Sequence, residues 1–361
     1  MCYTSATTGL PKGVVYSHRG IVLHSMAAGL ADTLAVSETD RILPVVPMFH
    51  ANAWGIPFAA TWYGSSQVFP GPAMTPQIIA DMLAKYKVTL TAGVPTVWLG
   101  LMQVLESGNY NIDSIRAVLC GGSAAPMEMI RRFEIDYGIP FIHAYGMTET
   151  TPLATVARLK SYQMDLPENE RLELRAKQGF IVPGLNMKVV DDNGNEVPRD
   201  GETMGELLLQ GPWIADSYYK DERSKDAFVD GWLKTGDVVT VDEEGFIKIV
   251  DRTSDLIKSG GEWISSVDLE NGLMAHEDVI EAAVVAVPHE KWQERPVAFV
   301  VLRENAQATS EDLLHFLEHN LKFARWWLPD EVFFIDEVPK TSVGKFLKRE
   351  LREVAKDKIK G

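Results

Sequence analysis

Residues 78–94 read Ile78-Ile79-Ala80-Asp81-Met82-Leu83-Ala84-Lys85-Tyr86-Lys87-Val88-Thr89-Leu90-Thr91-Ala92-Gly93-Val94. From Ile78 to Tyr86 the apolar positions recur at helical spacing, whereas Val88 to Val94 is a short apolar run that reads as a strand. A helix feeding directly into a buried strand is the repeating unit of α/β layering. The pattern returns downstream, with Ile115 to Cys120 as a buried strand and Gly121-Gly122 as a turn. Pro126 to Tyr137 then predicts a helix with proline in its first turn and Gly138 at its close. Over residues 183–250 short alternating strands are broken by turns such as Asp192-Asn193-Gly194 and Glu243-Glu244-Gly245, which predicts a β-rich subdomain. Beyond Asp251 the mixture resumes, with strands near Glu281 to Val287, Val297 to Leu302 and Val332 to Ile335 and helices near Ser310 to Asn320 and Lys345 to Lys356. The polar run Asp251-Arg252-Thr253-Ser254-Asp255 is short, which suits a hinge better than a floppy linker. The expected class is α/β: a large N-terminal α/β domain over residues 1–251, with its β-rich subdomain, a hinge at 252–254, and a small α+β domain over 255–361.

Composition bounds the function. A chain of 361 residues has length for two domains, and 46% hydrophobic with 24% charged residues excludes disordered, collagen-like and coiled-coil classes. The formal net charge of −15 repels nucleic acid and anionic membrane surfaces, so no nucleic-acid partner and at most peripheral membrane contact are expected. A polyanionic ligand must therefore meet a local basic pocket. Cys2 and Cys120 are too few for a disulfide framework and lack metal-ligand spacing, which fits a reducing compartment and a cytoplasmic location. The longest apolar run, Ala282 to Pro288, is far too short to span a bilayer and reads as a strand. The opening residues Met1 to Gly9 lack the basic and apolar regions of a signal peptide and read as the interior of a longer chain.

The segment Tyr3-Thr4-Ser5-Ala6-Thr7-Thr8-Gly9-Leu10-Pro11-Lys12-Gly13 packs hydroxyls, glycines and one lysine into a single loop. Backbone N–H groups and hydroxyls can donate to phosphate oxygens while Lys12 offsets charge. It is not a Walker A loop, because Lys12 is followed by Gly13. Standing alone, such a loop is as readily a polar surface turn.

This segment resembles the phosphate loop of the adenylate-forming superfamily of acyl-CoA synthetases, adenylation domains and luciferases, departing from it at Ala6, where the family usually carries glycine. Further stretches match the same family in the same order. Gly121-Gly122-Ser123-Ala124-Ala125-Pro126 resembles the turn that lies against adenine, which implicates Gly122, Ser123 and Ala124. Tyr145-Gly146-Met147-Thr148-Glu149 resembles the motif whose Tyr stacks on adenine, whose Thr binds phosphate and whose Glu helps hold Mg²⁺. Thr4 joins Glu149 in that expected metal set, and Gly146 joins Tyr145 at the nucleotide. Thr235-Gly236-Asp237 and Asp251-Arg252 match motifs in which Asp237 and Arg252 reach the ribose, with Ser254 at the family's hinge position. As bare sequence these are turns and a solvated arginine. Pro339 to Lys345 matches the final core motif, and the resemblance gives Lys345 the contact with the reacting carboxylate and α-phosphate.

Pro44 to Trp54 resembles the aromatic-His motif, which would put His50 beside the substrate carboxylate. Lys258-Ser259-Gly260-Gly261-Glu262-Trp263 resembles the loop lining the pantetheine tunnel, implicating Lys258, Gly260, Gly261 and Trp263 in CoA binding. With Gly93 to Trp98 and Lys291 to Pro296, the whole chain looks most like a medium- to long-chain fatty-acid–CoA ligase lacking the N-terminal part of its large domain. Trp98 is then a candidate acyl gate, though a Trp after a strand is more often core packing. The resemblance implies ATP, Mg²⁺, CoA and a carboxylate as ligands, a mobile small domain and catalytic roles for Lys345, His50, Thr148 and Glu149. It leaves homodimerisation through the large domain open. The alternatives are a short-chain or methylthioalkanoate CoA ligase, and a truncated nucleotide-binding fragment without turnover.

Overall fold

The computed structural model describes the chain except residues 5–9, 73, 342–345 and 361, and the side chains of 359 and 360. The chain folds as two compact units: Met1–Thr235 with Thr240–Lys248, and Gly236–Val239 with Ile249–Gly361.

The first unit opens with the paired strands β1 (Cys2–Tyr3) and β2 (Gly13–Val14), followed by helix α1 (His18–Ala28), which Ser17 caps by accepting from the Gly20 N–H. Next come β3 (Arg41–Pro44), α2 (Ile56–Tyr63), β4 (Ser66–Gln67), α3 (Pro76–Lys85), β5 (Leu90–Gly93), α4 (Pro95–Ser107) and β6 (Ala117–Cys120). Helix α5 (Met127–Arg131) leads to β7 (Phe141–Gly146), β8 (Leu153–Val156), α6 (Glu168–Ala176) and β9 (Phe180–Ile181). These strands form a seven-stranded sheet in the order β4-β3-β5-β6-β7-β8-β9, parallel from β4 to β7 and antiparallel at β8 and β9. Parallel strands covered on both faces are apolar throughout, and β5 and β6 are buried at every position.

The expected α/β layering is present. Helix α3 begins at Thr75, whose hydroxyl accepts from the Ile78 N–H, with Pro76 in its first turn. Its inward face, Ile79, Ala80 and Leu83, joins Leu43, Trp98, Phe133 and Phe141 in one buried cluster. The helix expected over Pro126 to Tyr137 starts at Met127, and its last turn, Arg132–Asp136, widens to a π-helix before Gly138 takes the left-handed conformation. The π turn seats Phe133 against Trp98, Tyr137 and Phe141, a packing demand invisible in the periodicity.

Beyond β9, the strands β10 (Asn186–Val190), β11 (Gly205–Gln210), β12 (Phe228–Val229), β13 (Trp232–Val241) and β14 (Ile247–Arg252) make a second sheet in the order β10-β11-β13-β12, with β14 also on β13. The second unit proper carries β15 (Ile257–Ser259), β16 (Glu262–Ile264), α7 (Ser266–Met274), β17 (Val279–His289), β18 (Gln293–Leu302), α8 (Ser310–His315), β19 (Glu331–Phe334) and α9 (Lys348–Lys360). The β17–β18 pair is sandwiched: Ala282 and Val284 face the cluster of Leu269, Leu273, Leu313 and Leu317, while Ala283, Val285 and Val287 face Leu351 and Ala355 of α9. Alternation along a strand sends successive side chains to opposite cores. Among the described residues no helix is long and apolar enough to cross a membrane.

Candidate nucleotide site

The loop that begins at Thr4 is closed at its base by β1 and β2, registered Cys2 to Val14 and Tyr3 to Gly13. The Thr4 N–H donates to the Lys12 carbonyl at 2.9 Å, and the Lys12 N–H donates to Thr4 Oγ1 at 3.1 Å. Ser5, Ala6, Thr7, Thr8 and Gly9 lie outside the described residues. A segment remote in sequence braces the outer side of β2: Tyr218 bridges Val14, the Tyr219 N–H donates to the Gly13 carbonyl at 2.7 Å, and Arg223 donates to the Leu10 carbonyl at 3.0 Å.

Lys12 points from this base toward Glu149. Its Nζ lies 3.8 Å from Glu149 Oε1 and donates to the Tyr218 hydroxyl at 2.9 Å, and that hydroxyl donates to the same carboxylate oxygen at 2.7 Å. Thr148 and Glu149 open a 3-10 turn, Thr148–Thr150, in which both are buried. Two backbone bonds pin them: Tyr16 donates through its hydroxyl to the Thr148 carbonyl at 2.8 Å, and the Ala215 N–H donates to the Glu149 carbonyl at 2.8 Å. Burial, reinforced by Glu149, pushes the Tyr218 phenol up, and burial does the same to Tyr16. Both hydroxyls therefore remain donors at neutral pH. A buried carboxylate flanked by hydroxyls suits Mg²⁺, which takes oxygen ligands, keeps several waters and needs only one or two carboxylates when phosphates supply the rest. No group of three His, Cys, Asp or Glu fit to hold a metal occurs among the described residues.

The motifs expected on the adenine side end neighbouring strands. In-register pairing of Cys120 with His143 places Gly121-Gly122 and Tyr145 at the carboxyl ends of β6 and β7, where open α/β sheets present their ligand crevices. A Cβ on Gly121 would lie 2.8 Å from the Ala144 carbonyl oxygen and 3.3 Å from the Trp54 ring, so only glycine fits there. Gly122 and Ser123 are exposed, Ala124 is half-buried, Tyr145 is buried and Gly146 is half-buried. His50 is half-buried at the head of a left-handed turn in which Ala51, Asn52, Ala53, Trp54 and Gly55 all have φ between +46° and +68°. That conformation is costly for residues with a Cβ. One tie is the Cys2 thiol, which donates to Asn52 Oδ1 at 3.2 Å and so joins this turn to the base of the loop that begins at Thr4. Trp98 sits apart, fully buried in the core with its ring edge-on to Phe133 at 6.0 Å.

In the second unit Asp237 is buried and its Oδ1 lies 3.2 Å from Arg252 Nε. Ser254 is exposed, and its carbonyl accepts from Arg352 at 3.1 Å. Gly260 and Gly261 form the tip of the β15–β16 hairpin, with the Gly260 N–H donating to the Trp292 carbonyl at 2.9 Å. Lys258 lies over Trp263 at 4.5 Å, and Lys291 over Trp292 at 4.4 Å. Lys345 lies outside the described residues.

The sequence reading missed Tyr218, Tyr16, Lys348 and Glu270, and it gave Asp251 only as the residue before Arg252 in a motif. Tyr218 and Glu149 are 69 positions apart, and no spacing or periodicity links them. The only local signal was Lys348 itself, a lysine whose neighbours Phe346, Leu347 and Leu351 are apolar.

Comparison with known proteins identifies the family. A sequence model described as AMP-binding enzyme matches residues 1–219, and one described as AMP-binding enzyme C-terminal domain matches residues 268–345. The chain is 53% identical over 361 residues to a long-chain-fatty-acid–CoA ligase of Thermus thermophilus, covering 99% of this chain and 66% of that protein. It is 44% identical to a 3-methylmercaptopropionyl-CoA ligase of Ruegeria lacuscaerulensis, covering 100% of this chain and 66% of the relative. The crystal structure of ATP-bound MatB from Rhodopseudomonas palustris superposes with a TM-score of 0.86 at 28% identity, over 99% of this chain and 68% of that one. The chain thus spans about two thirds of the length of the proteins it matches. The chain therefore belongs to the AMP-binding enzyme family, the adenylate-forming superfamily.

Proposed function

We propose that the chain carries the nucleotide and acyl-transfer machinery of an ATP-dependent fatty-acid–CoA ligase. The observation that carries this reading is the buried Glu149 held within 3.8 Å of Lys12 at the mouth of a hydroxyl-rich loop, a charge pair placed for a phosphate-bound metal and not for core stability. In this reading a fatty carboxylate attacks the α-phosphate of ATP, giving acyl-adenylate and pyrophosphate, and the CoA thiol then attacks the acyl carbon, forming the thioester and releasing AMP. Thr4, Ser5, Thr7, Thr8, Gly9 and Lys12 bind the phosphates, and Tyr145 stacks on the base beside Gly122, Ser123, Ala124 and Gly146. Asp237 and Arg252 take the ribose hydroxyls, Asp237 as acceptor. Lys345 offsets charge developing at the transferring phosphoryl group, and His50 flanks the carboxylate. Mg²⁺, bound with ATP, would neutralise phosphate charge, with Thr4 and Glu149 as the residues that hold it and Thr148 donating to phosphate. Lys258, Gly260, Gly261 and Trp263 border the path of the pantetheine arm, Trp98 would gate the acyl tunnel only by leaving its core position against Phe133, and Ser254 is the hinge of a domain organisation dividing at 252–254. A cytoplasmic location goes with this reading. The names of the relatives support a fatty or methylthioalkanoic acid as substrate.

The test is pyrophosphate release from ATP and Mg²⁺ with fatty acids of graded length and with 3-methylthiopropionate. Carboxylate-dependent release is expected, and Lys345→Ala should lose it by at least about 100-fold while still transferring acyl from supplied acyl-adenylate to CoA. Equal loss of both steps would refute that division of labour. The second reading is nucleotide binding without turnover. A folded chain that binds ATP and releases no pyrophosphate with any acid would establish it.

A further inference from the structure

Tyr218 belongs to none of the stretches on which the family resemblance rests, yet its hydroxyl stands between the two charged groups of the candidate phosphate site. It accepts from Lys12 Nζ at 2.9 Å and donates to Glu149 Oε1 at 2.7 Å. The residue is built into place. Its ring lies edge-on to Phe228 at 5.1 Å, its N–H donates to Ser224 Oγ at 2.9 Å, and its backbone bridges Val14 of β2. Lys12 Nζ also rests 4.3 Å from the ring centroid.

Resting on the nucleotide reading above, we propose that Tyr218 is a positioning residue for Mg²⁺–ATP binding: it fixes the carboxylate of Glu149 and holds the ammonium of Lys12 off it. Opposite charges 3.8 Å apart attract, the more so with the carboxylate buried, and a direct ammonium–carboxylate bond would be about 1 Å shorter. Such a bond would place the lysine where a metal must approach and withdraw it from the phosphates. The phenol prevents this collapse by giving each partner its own hydrogen bond to a neutral group. Removing the hydroxyl frees Lys12 to close on Glu149, so the loss falls on metal affinity first. Groups that orient a metal ligand typically change metal affinity 10–100-fold when lost.

The experiment is calorimetric titration of the 361-residue chain with ATP, across a series of Mg²⁺ concentrations and in EDTA, for the parent, Glu149→Gln and Tyr218→Phe. The parent should bind ATP more tightly as Mg²⁺ rises, and Glu149→Gln should abolish that gain. Tyr218→Phe should raise the Mg²⁺ midpoint by about tenfold while leaving ATP affinity in EDTA unchanged. Ser224→Ala, which loosens the Tyr218 backbone while leaving its ring, should shift the midpoint in the same direction by less, and decides the matter if Tyr218→Phe does not fold. An unmoved midpoint in Tyr218→Phe, beside the expected behaviour of Glu149→Gln, overturns the proposal alone. Equal weakening of ATP with and without Mg²⁺ also overturns it, because that is the mark of a merely structural tyrosine. A parent whose ATP affinity ignores Mg²⁺ removes the nucleotide reading and this proposal together.

Discussion

Lys348→Met tests whether the start of α9 is held by a buried ion pair. Lys348 Nζ lies 2.7 Å from Glu270 Oε1, the side chains being 12% and 9% exposed, and it also donates to Ser266 Oγ. The Val284 N–H donates to Glu270 Oε1 at 2.8 Å, and the Ser266 N–H donates to Asp251 Oδ2 at 2.8 Å. Burial pushes the Lys348 ammonium down, but Glu270, Asp251 and Asp255 outweigh it and the net displacement is upward. Burial holds both Glu270 and Asp251 above the ordinary carboxylate range even with that cation present. Methionine keeps most of the volume and removes only the charge, stranding two buried carboxylates. Breaking a buried pair in this way costs about 3–5 kcal/mol. At about 3–5 °C per kcal/mol for a unit of this size, the second unit should melt roughly 10–20 °C lower.

Scanning calorimetry at pH 7 and pH 5 reads both size and sign. Without Lys348 the folded-state pKa of Glu270 rises further above its unfolded value, so the folded variant binds a proton more tightly than the unfolded chain does. The variant therefore gains stability relative to the parent as pH falls, and the deficit at pH 5 is smaller than at pH 7. Combining Lys348→Met with Glu270→Gln should return part of the loss, with a coupling of about 2 kcal/mol. A deficit below about 1 kcal/mol at pH 7, or the same deficit at both pH values, would refute the buried-charge reasoning.

Burial of His24 lowers its pKa to about 4, and its Nε2 accepts from the Leu153 N–H at 3.3 Å. The folded state then binds fewer protons than the unfolded one below about pH 6.5, so roughly 3 kcal/mol present above that pH is lost as pH falls toward 4. Urea midpoints against pH should be flatter in this window for His24→Gln, and parallel curves would count against the assignment. Gly55 ends the left-handed turn after His50 at φ +68°, and a Cβ there would lie 2.8 Å from His24 Cε1 and 3.3 Å from the Thr151 carbonyl oxygen. Gly55→Ala should cost about 2–4 kcal/mol in chemical denaturation, the sum of backbone strain and overpacking, and a neutral result would mean the turn can relax.

Much of this molecule is legible in one dimension because its determinants are local. Helical spacing over Ile78 to Tyr86 and the apolar run Val88 to Val94 became α3 and β5, and Ile115 to Cys120 became β6. The Asp192-Asn193-Gly194 and Glu243-Glu244-Gly245 turns hold glycines at positive φ, as turn chemistry requires. Motifs such as Tyr145 to Glu149 are short, and their chemistry rests on adjacent residue types.

Partnership between distant segments is a different matter. The sequence by itself determined the layered class, the family and the candidate residues at each motif. Only the tertiary structure decided that Tyr218 separates Lys12 from Glu149, that Lys348 neutralises Glu270, that His50 heads a left-handed turn tied to Cys2, and that Trp98 is sealed in the core. Residue spacing encodes which face of one helix or strand is apolar, but burial and the identity of a charge's partner are set by how segments tens of residues apart pack.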